Sequence, residues 1–175
     1  MKLKQYFAIL FLSSIFSFAQ SKDSFVVIKG TTNVNTFKCI NNDFHQPIPV
    51  SVETSQKNKF SETTISLVVN DFDCKNKIMT SDFKNTLNAD KYPILNITFL
   101  DLDKISENKY KAAINVKMMN KLKKYYIDFT LTDSKIVGNK TLYFSDFEII
   151  PPKKFGGLVH VNDALDLSFS LKIKE

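Results

Sequence analysis

The chain has 175 residues, 43% of them hydrophobic and 24% charged, with a formal net charge of +6. This is the composition of a globular domain, and four Gly with five Pro exclude collagen-like and low-complexity repeats. All 24 basic residues are Lys, so the planar fork with which Arg grips carboxylates and phosphates is missing, and two His with two Cys leave little for a metal.

Lys2 and Lys4 open the chain, Tyr6 to Phe18 is apolar apart from three serines, and Ser17-Phe18-Ala19 places small residues where a signal peptidase reads. The segment 1–19 is expected to be a signal peptide cut after Ala19. A membrane anchor is the alternative, but the run is shorter than the ~20 residues that a spanning helix needs. Removing it leaves residues 20–175 as a single domain; the charge falls from +6 by the two lysines to +4. No second long apolar run follows. The remainder is expected to be periplasmic or secreted, and soluble or at most peripheral to a membrane.

Beyond the leader, alternation dominates, and period two is the mark of a strand with one apolar and one wet face. In chain order the runs are Phe25 to Ile28, Phe37 to Ile40, Ile48 with Val50 and Val52, and Ile65 with Leu67 and Val69. Between these and the next strand, Phe83 and Leu87 stand at helical spacing. Thr80 or Ser81 is a candidate cap, and Pro93 is a stop, which predicts one short helix over about 81–89. Leu95, Ile97 and Phe99 then alternate until the phase shifts to Leu100 and Leu102, the signature of a bulge. Ala112 to Met118, Tyr125 to Leu131, Leu142 with Phe144, and Leu165 to Ile173 complete the set. Turn signals fall at Asn41-Asn42-Asp43, Ser55 to Asn58, Ser106-Glu107-Asn108 and Val137-Gly138-Asn139. Eight or so one-sided strands make an antiparallel sheet, which must close into a barrel or split into a sandwich to hide its edges.

In an exported protein the even pair Cys39 and Cys74 reads as a disulfide, with two buried free thiols as the alternative. The bond would close a loop over residues 39–74, worth roughly 4 kcal/mol in the chain-entropy model.

Signals for chemistry are few. His45 lies in a polar loop and His160 between two valines, and the chain has neither Cys-x-x-Cys nor His-x-x-x-His, so no metal ligand set is expected. There is no Gly-x-Ser-x-Gly elbow and no phosphate-cradling loop, and no catalytic residues are assigned. The pairs Asp71 and Asp73, and Asp101 and Asp103, share a strand face; they read as wet strand ends before they read as acid and base. Lys121, Lys123 and Lys124 beside Tyr125 and Tyr126 could bind nucleic acid or an anionic membrane surface. A solvated hairpin that blocks edge pairing is preferred, and no nucleic-acid partner is expected.

Three tracts resemble one family. Gly30 to Cys39, then Phe72 to Asn76 with Met79, Asp82, Leu87, Ala89 and Lys91-Tyr92-Pro93-Ile94, then Phe147 to Lys153 with Gly156, Val161 and Asp163, are similar to the YceI-like proteins, the periplasmic polyisoprenoid-binding group. One departure is the stretch Val116 to Lys121, where the family usually carries glycines. The resemblance implies an all-β protein, an eight-stranded antiparallel lipocalin-like barrel with one short helix. It implies no enzyme and no cofactor, and an interior that holds an isoprenoid-like or fatty-acid-like lipid. Small barrels either fill themselves with side chains or hold one slim ligand, and alternation alone does not separate the two. The lining expected to meet such a ligand is Val50, Val52, Ile65, Leu67, Ile97, Phe99, Ile114, Val116, Phe129, Phe144, Phe169 and Leu171.

Overall fold

A computed structural model describes residues 24–43, 48–49, 63–132 and 134–174. The leader, His45, Val50, Val52 and the turn expected at 55–58 lie outside the described residues. The elements, in order, are β1 (Phe25–Thr32), β2 (Thr36–Asn41), β3 (Ile48–Pro49), β4 (Thr64–Val68), α1 (Lys77–Thr86), β5 (Ile94–Ser106), β6 (Lys109–Met118), β7 (Lys121–Leu131), β8 (Lys135–Tyr143), β9 (Lys153–Lys154) and β10 (Val159–Lys174). Short 3₁₀ turns occupy Val69–Asp71, Phe144–Phe147 and Phe155–Gly157.

Eight strands form one curled antiparallel sheet in the order β2-β1-β10-β8-β7-β6-β5-β4, the architecture of a lipocalin-like barrel. The two-residue strands are additions at its ends: β3 runs parallel to the end of β10, and β9 pairs antiparallel with its start. Alternation does what the sequence pattern demands. Ile65 and Leu67 of β4 are buried between exposed Thr64, Ser66 and Val68. Leu165, Leu167, Phe169 and Leu171 of β10 line the same interior. The phase shift in β5 is a bulge: Phe99 pairs with Ile114 and Asp101 with Ala113, so Leu100 is the extra residue, and both Phe99 and Leu102 point inward.

Three expectations are corrected. The helix begins four residues before the expected start, because Asn76 is its cap and accepts the Met79 N–H at 3.0 Å. Thr80 instead accepts the backbone N–H of Cys74 at 3.0 Å. The apolar spacing that runs Met79, Phe83, Leu87 carries the pattern back one turn further than Phe83 and Leu87 alone suggest. Second, Val137-Gly138-Asn139 is not a turn but the middle of β8, and the turn lies at Thr132, whose N–H bonds the Lys135 carbonyl at 2.8 Å. Gly138 is there for room. A Cβ built on it would stand 2.5 Å from Phe169 Cζ and 3.1 Å from Phe129 Cβ, so the ring of Phe169 crosses the strand where only a glycine leaves space. Third, Phe144 is buried as expected, but it opens a 3₁₀ turn just past β8 instead of continuing the strand.

In the β6–β7 hairpin, Met119 takes φ 54° in the tight turn to Lys121, a backbone shape usually given to glycine. The turn therefore forms without the glycines that the sequence lacks.

A curled sheet ends in two edges, here β2 and β4, and three links join them. Ile40 and Asp73 exchange two backbone hydrogen bonds of 2.9 Å. The Asn41 side-chain amide donates to the Val68 carbonyl at 3.1 Å. Cys39 and Cys74, both buried, form the expected disulfide. On the opposite wall β7 and β8 share only the pairs from Phe129–Gly138 to Leu131–Ile136, and beyond them the strands part.

Two outcomes are expected. Gly138→Val lowers stability by about 1–3 kcal/mol, the usual cost of overpacking a filled core, as measured by denaturant unfolding. Cys39→Ser with Cys74→Ser costs up to roughly 4 kcal/mol, and the denatured, unreduced wild-type chain shows no titratable thiol.

Candidate functional site

Three concavities bear on function. The first is inside the barrel. Val26, Ile28, Leu67, Leu95, Ile97 and Val116 are among the side chains around a cavity of about 10 Å³, roughly the space of one water. This part of the barrel is closed by its own side chains. The expected lining residues Ile65, Leu67, Ile97, Phe99, Ile114, Val116, Phe129, Phe144, Phe169 and Leu171 are all buried in one continuous core cluster. Leu67, Ile97 and Val116 reach the small cavity, and Phe144 reaches the second concavity.

The second lies at the end of the barrel under α1 and holds about 80 Å³. Phe37 from β2, Met79 and Phe83 from α1, Phe144, and Val159 and Val161 from β10 make its wall apolar. It is roughly half the size of an engineered cavity of about 150 Å³ that takes a benzene ring, so it fits the end of a chain, not its whole length. Its floor is continuous with the barrel, since Phe83 and Phe144 belong to the core cluster and Phe37, Met79 and Val161 pack against it. Lys154 of β9 reaches across to Asp82 of α1 at 2.8 Å. Most of this mouth leaves no local mark in the sequence. Val159 and Val161 alternate with His160 at the start of β10, but one period of alternation is too short to read. Phe37 and Phe83 show as apolar without showing which elements they meet.

The third is a polar, open cleft of about 680 Å³ on the outer side of α1, reached by Asn70, Asp73, Lys75, Lys84, Asn85 and Asn88 among others. Asp73 is engaged there. The backbone N–H of Lys75 donates to it at 2.8 Å and the Lys75 ammonium sits at 3.1 Å, and together they hold its carboxyl below the usual range. Asp71 and His160 are exposed and line none of the three concavities. The backbone N–H of His160 donates to the Asn33 side chain at 3.1 Å. Asp101 and Asp103 are both exposed on the wet face of β5. Among the described residues no group of three His, Cys, Asp or Glu side chains comes together as a metal site would need.

The basic hairpin is tied to the barrel wall. Lys121 pairs with Glu148 at 2.6 Å and Lys123 approaches Asp146 at 3.9 Å. The Tyr125 hydroxyl donates to Asp146 at 2.6 Å, and its ring packs on Phe147. The 3₁₀ turn Phe144–Phe147 thereby fills the part of the wall where β7 and β8 separate. Two of the three clustered lysines are thus engaged by carboxylates.

Among solved structures, the chain resembles the YceI protein of Campylobacter jejuni with a TM-score of 0.60 at 17% identity, over 76% of this chain and 83% of that one. The fold is the YceI fold. BcnA of Burkholderia cenocepacia superposes with a TM-score of 0.68, again at 17% identity, over 86% of this chain and 96% of that one. No family model and no curated protein matches the sequence. The fold implied by the resemblance is therefore the fold observed, and the YceI fold here carries an apolar mouth at its α1 end. Among the described residues no helix is long and apolar enough to cross a membrane.

Tyr125 supplies a pH test of the wall. Burial, and then the bond to Asp146, push its hydroxyl above the ordinary tyrosine range. The folded protein holds the neutral form, so this contribution is complete below the unfolded value of about 10 and is lost as pH rises above it. Tyr125→Phe is expected to lower the melting temperature at pH 7 slightly, by the loss of about 1 kcal/mol, and to flatten the fall in melting temperature above about pH 10.

Proposed function

We propose that this chain is an exported, non-catalytic binding protein that takes up an isoprenoid-like or other long apolar chain, with no cofactor and no nucleic-acid partner. The observation that carries the reading is the apolar mouth under α1, whose floor is the barrel core. The disulfide fits an oxidising compartment, and the N-terminal segment reads as a leader.

The energetics select the ligand. Each buried methylene contributes about 0.8 kcal/mol, so fifteen carbons give on the order of 12 kcal/mol gross. The cost of immobilisation is about 4–15 kcal/mol, so a short chain gains nothing net. The mouth offers Lys154 already paired with Asp82 and no Arg, so affinity must come from length of apolar contact and not from a charged anchor. The deep lining, at about 10 Å³, admits more than the chain's tip only if the core side chains move. Met118 and Met79 are the adaptable ones.

The closed interior favours a second reading, a solid barrel serving as an envelope interaction module. One experiment separates the two. Under the carrier reading, solvent extraction of the purified protein followed by mass spectrometry yields an apolar lipid, and a fluorescent polyene is taken up. Met79→Trp, which fills the mouth, is expected to cut that uptake at least tenfold with the melting temperature little changed. No extracted lipid together with no polyene uptake leaves only the solid barrel.

A further inference from the structure

We propose that the mouth end of the barrel is a docking surface for an anionic phospholipid bilayer. The five most exposed large apolar side chains among the described residues are Ile150 (84%), Phe155 (78%), Leu158 (77%), Ile78 (74%) and Val34 (69%). They come from four separate stretches of chain, yet the contacts around the mouth bring these stretches to one end of the molecule. Val34 follows Asn33, whose side chain donates to the Leu158 carbonyl at 2.9 Å. Ile150 stands two residues before Pro152, which lines the mouth and accepts the Val161 N–H at 3.1 Å. Ile78 lies one helical turn before Asp82, which receives Lys154, the neighbour of Phe155. Single exposed apolar residues are ordinary; a gathered rim of them around an apolar opening is an interaction surface.

The rim is also built to project. Phe155, Gly156 and Gly157 take φ of 51°, 65° and 100°, three successive left-handed residues. For a bulky non-glycine residue this backbone costs energy, and Phe155 recovers none of it by burial. The ring is held out into solvent at the tip of the β9–β10 hairpin.

Charge selects the occupant. From Ile149 to Asn162 the chain holds Lys153, Lys154 and His160 and no acid, and Thr31 to Asn42 holds Lys38 and no acid. Asp82, the acid facing this tip, is taken by Lys154, and Lys153 makes no ion pair among the described residues. Exposed Phe, Leu, Ile and Val beside Lys153, with the flanking acids engaged (Asp82 by Lys154, Glu148 by Lys121, and Asp163 by Ser145), fit the boundary between acyl chains and anionic headgroups. In the basic hairpin at Lys121–Lys124, Lys121 and Lys123 are offset by Glu148 and Asp146, so the charge argument rests on Lys153.

The docking proposal stands on the rim, whether or not a chain enters the barrel, and its test is separate from lipid extraction. The protein, produced from the full chain and checked by intact mass, is co-sedimented with vesicles of equimolar phosphatidylglycerol and phosphatidylcholine, and with phosphatidylcholine alone. It is expected to bind the anionic vesicles more tightly, with binding weakened by salt. Phe155→Asn with Leu158→Ser, which keeps a residue tolerant of the left-handed backbone, is expected to lose about a hundredfold in partition. Lys153→Gln is expected to lose roughly fivefold on anionic vesicles and nothing on neutral ones. An unchanged melting temperature for each variant shows that the fold survives. Failure of the wild type to sediment, or equal binding by the double variant, overturns the proposal. So does a vesicle-free dimer that the double variant dissociates, since the rim would then belong to a second copy.

Discussion

An open sheet of this length has two unsatisfied edges, and everything else in the molecule depends on how they are joined. The edge strands β2 and β4 do not pair with each other directly. The chain that leaves β4 turns back through Phe72 and Asp73, lays one reciprocal pair of hydrogen bonds on Ile40, and is then locked by Cys74 to Cys39. The same few residues therefore end the sheet, hide its polar edges and launch α1, because Thr80 on the first turn of the helix receives the Cys74 N–H. The helix is in turn held over the barrel end by Phe83, which packs on Phe72 with ring centroids 5.3 Å apart. Seam, helix and mouth are one mechanical unit.

That unit explains why the apolar opening sits where it does. The seam brings α1 across the end of the barrel, and the start of β10 with β9 folds up to meet it through Lys154 and Asp82. Between them is a space too small for a whole ligand and too apolar for water to favour. The protein has polar concavity to spare on the far side of the same helix, so the segregation of an oily inner face from an amide- and lysine-rich outer face is a property of α1 itself. Met79, Phe83 and Leu87 stand on one side; Lys77, Ser81, Lys84 and Asn85 on the other.

Much of the architecture was legible because one-sided strands write their burial directly into the sequence, one residue in two. The lining of β4, β5, β6, β7 and β10 could be named residue by residue, as could the β5 bulge, which shows as a change of phase at Leu100. Pattern and structure part where a residue type has two physical meanings. Gly138 looks like a turn in the sequence because glycine usually marks one, whereas here it makes room for the ring of Phe169, a partner 31 positions away that no local pattern reveals. Thr80 and Ser81 are good caps by type, but Asn76 is at least as good and lies one turn earlier. The mouth is invisible in the sequence for a different reason. It is assembled from β1, β2, α1, the Phe144 turn, β9 and β10, and its apolar wall takes only one or two residues from each of β2, α1, the Phe144 turn and β10, which locally resemble ordinary core. The vacancy of a barrel is likewise absent from any periodic pattern, because an inward leucine looks the same whether its neighbour is a side chain or a guest.

The brief pairing of β7 with β8 has a consequence for how the wall is closed. Elsewhere the staves of the barrel are nailed along most of their length; between these two, three rungs suffice, and a short plug of chain held by Tyr125, Lys121 and side-chain bonds takes the place of the missing ladder. The plug is rooted in the core as well, since Phe144 and Phe147 are both buried and the Ser145 N–H donates to Asp163 of β10. The wall is therefore closed in two different ways: by a plug of chain where β7 and β8 part and, across the barrel, by the sulfur clasp between β2 and the chain that leaves β4.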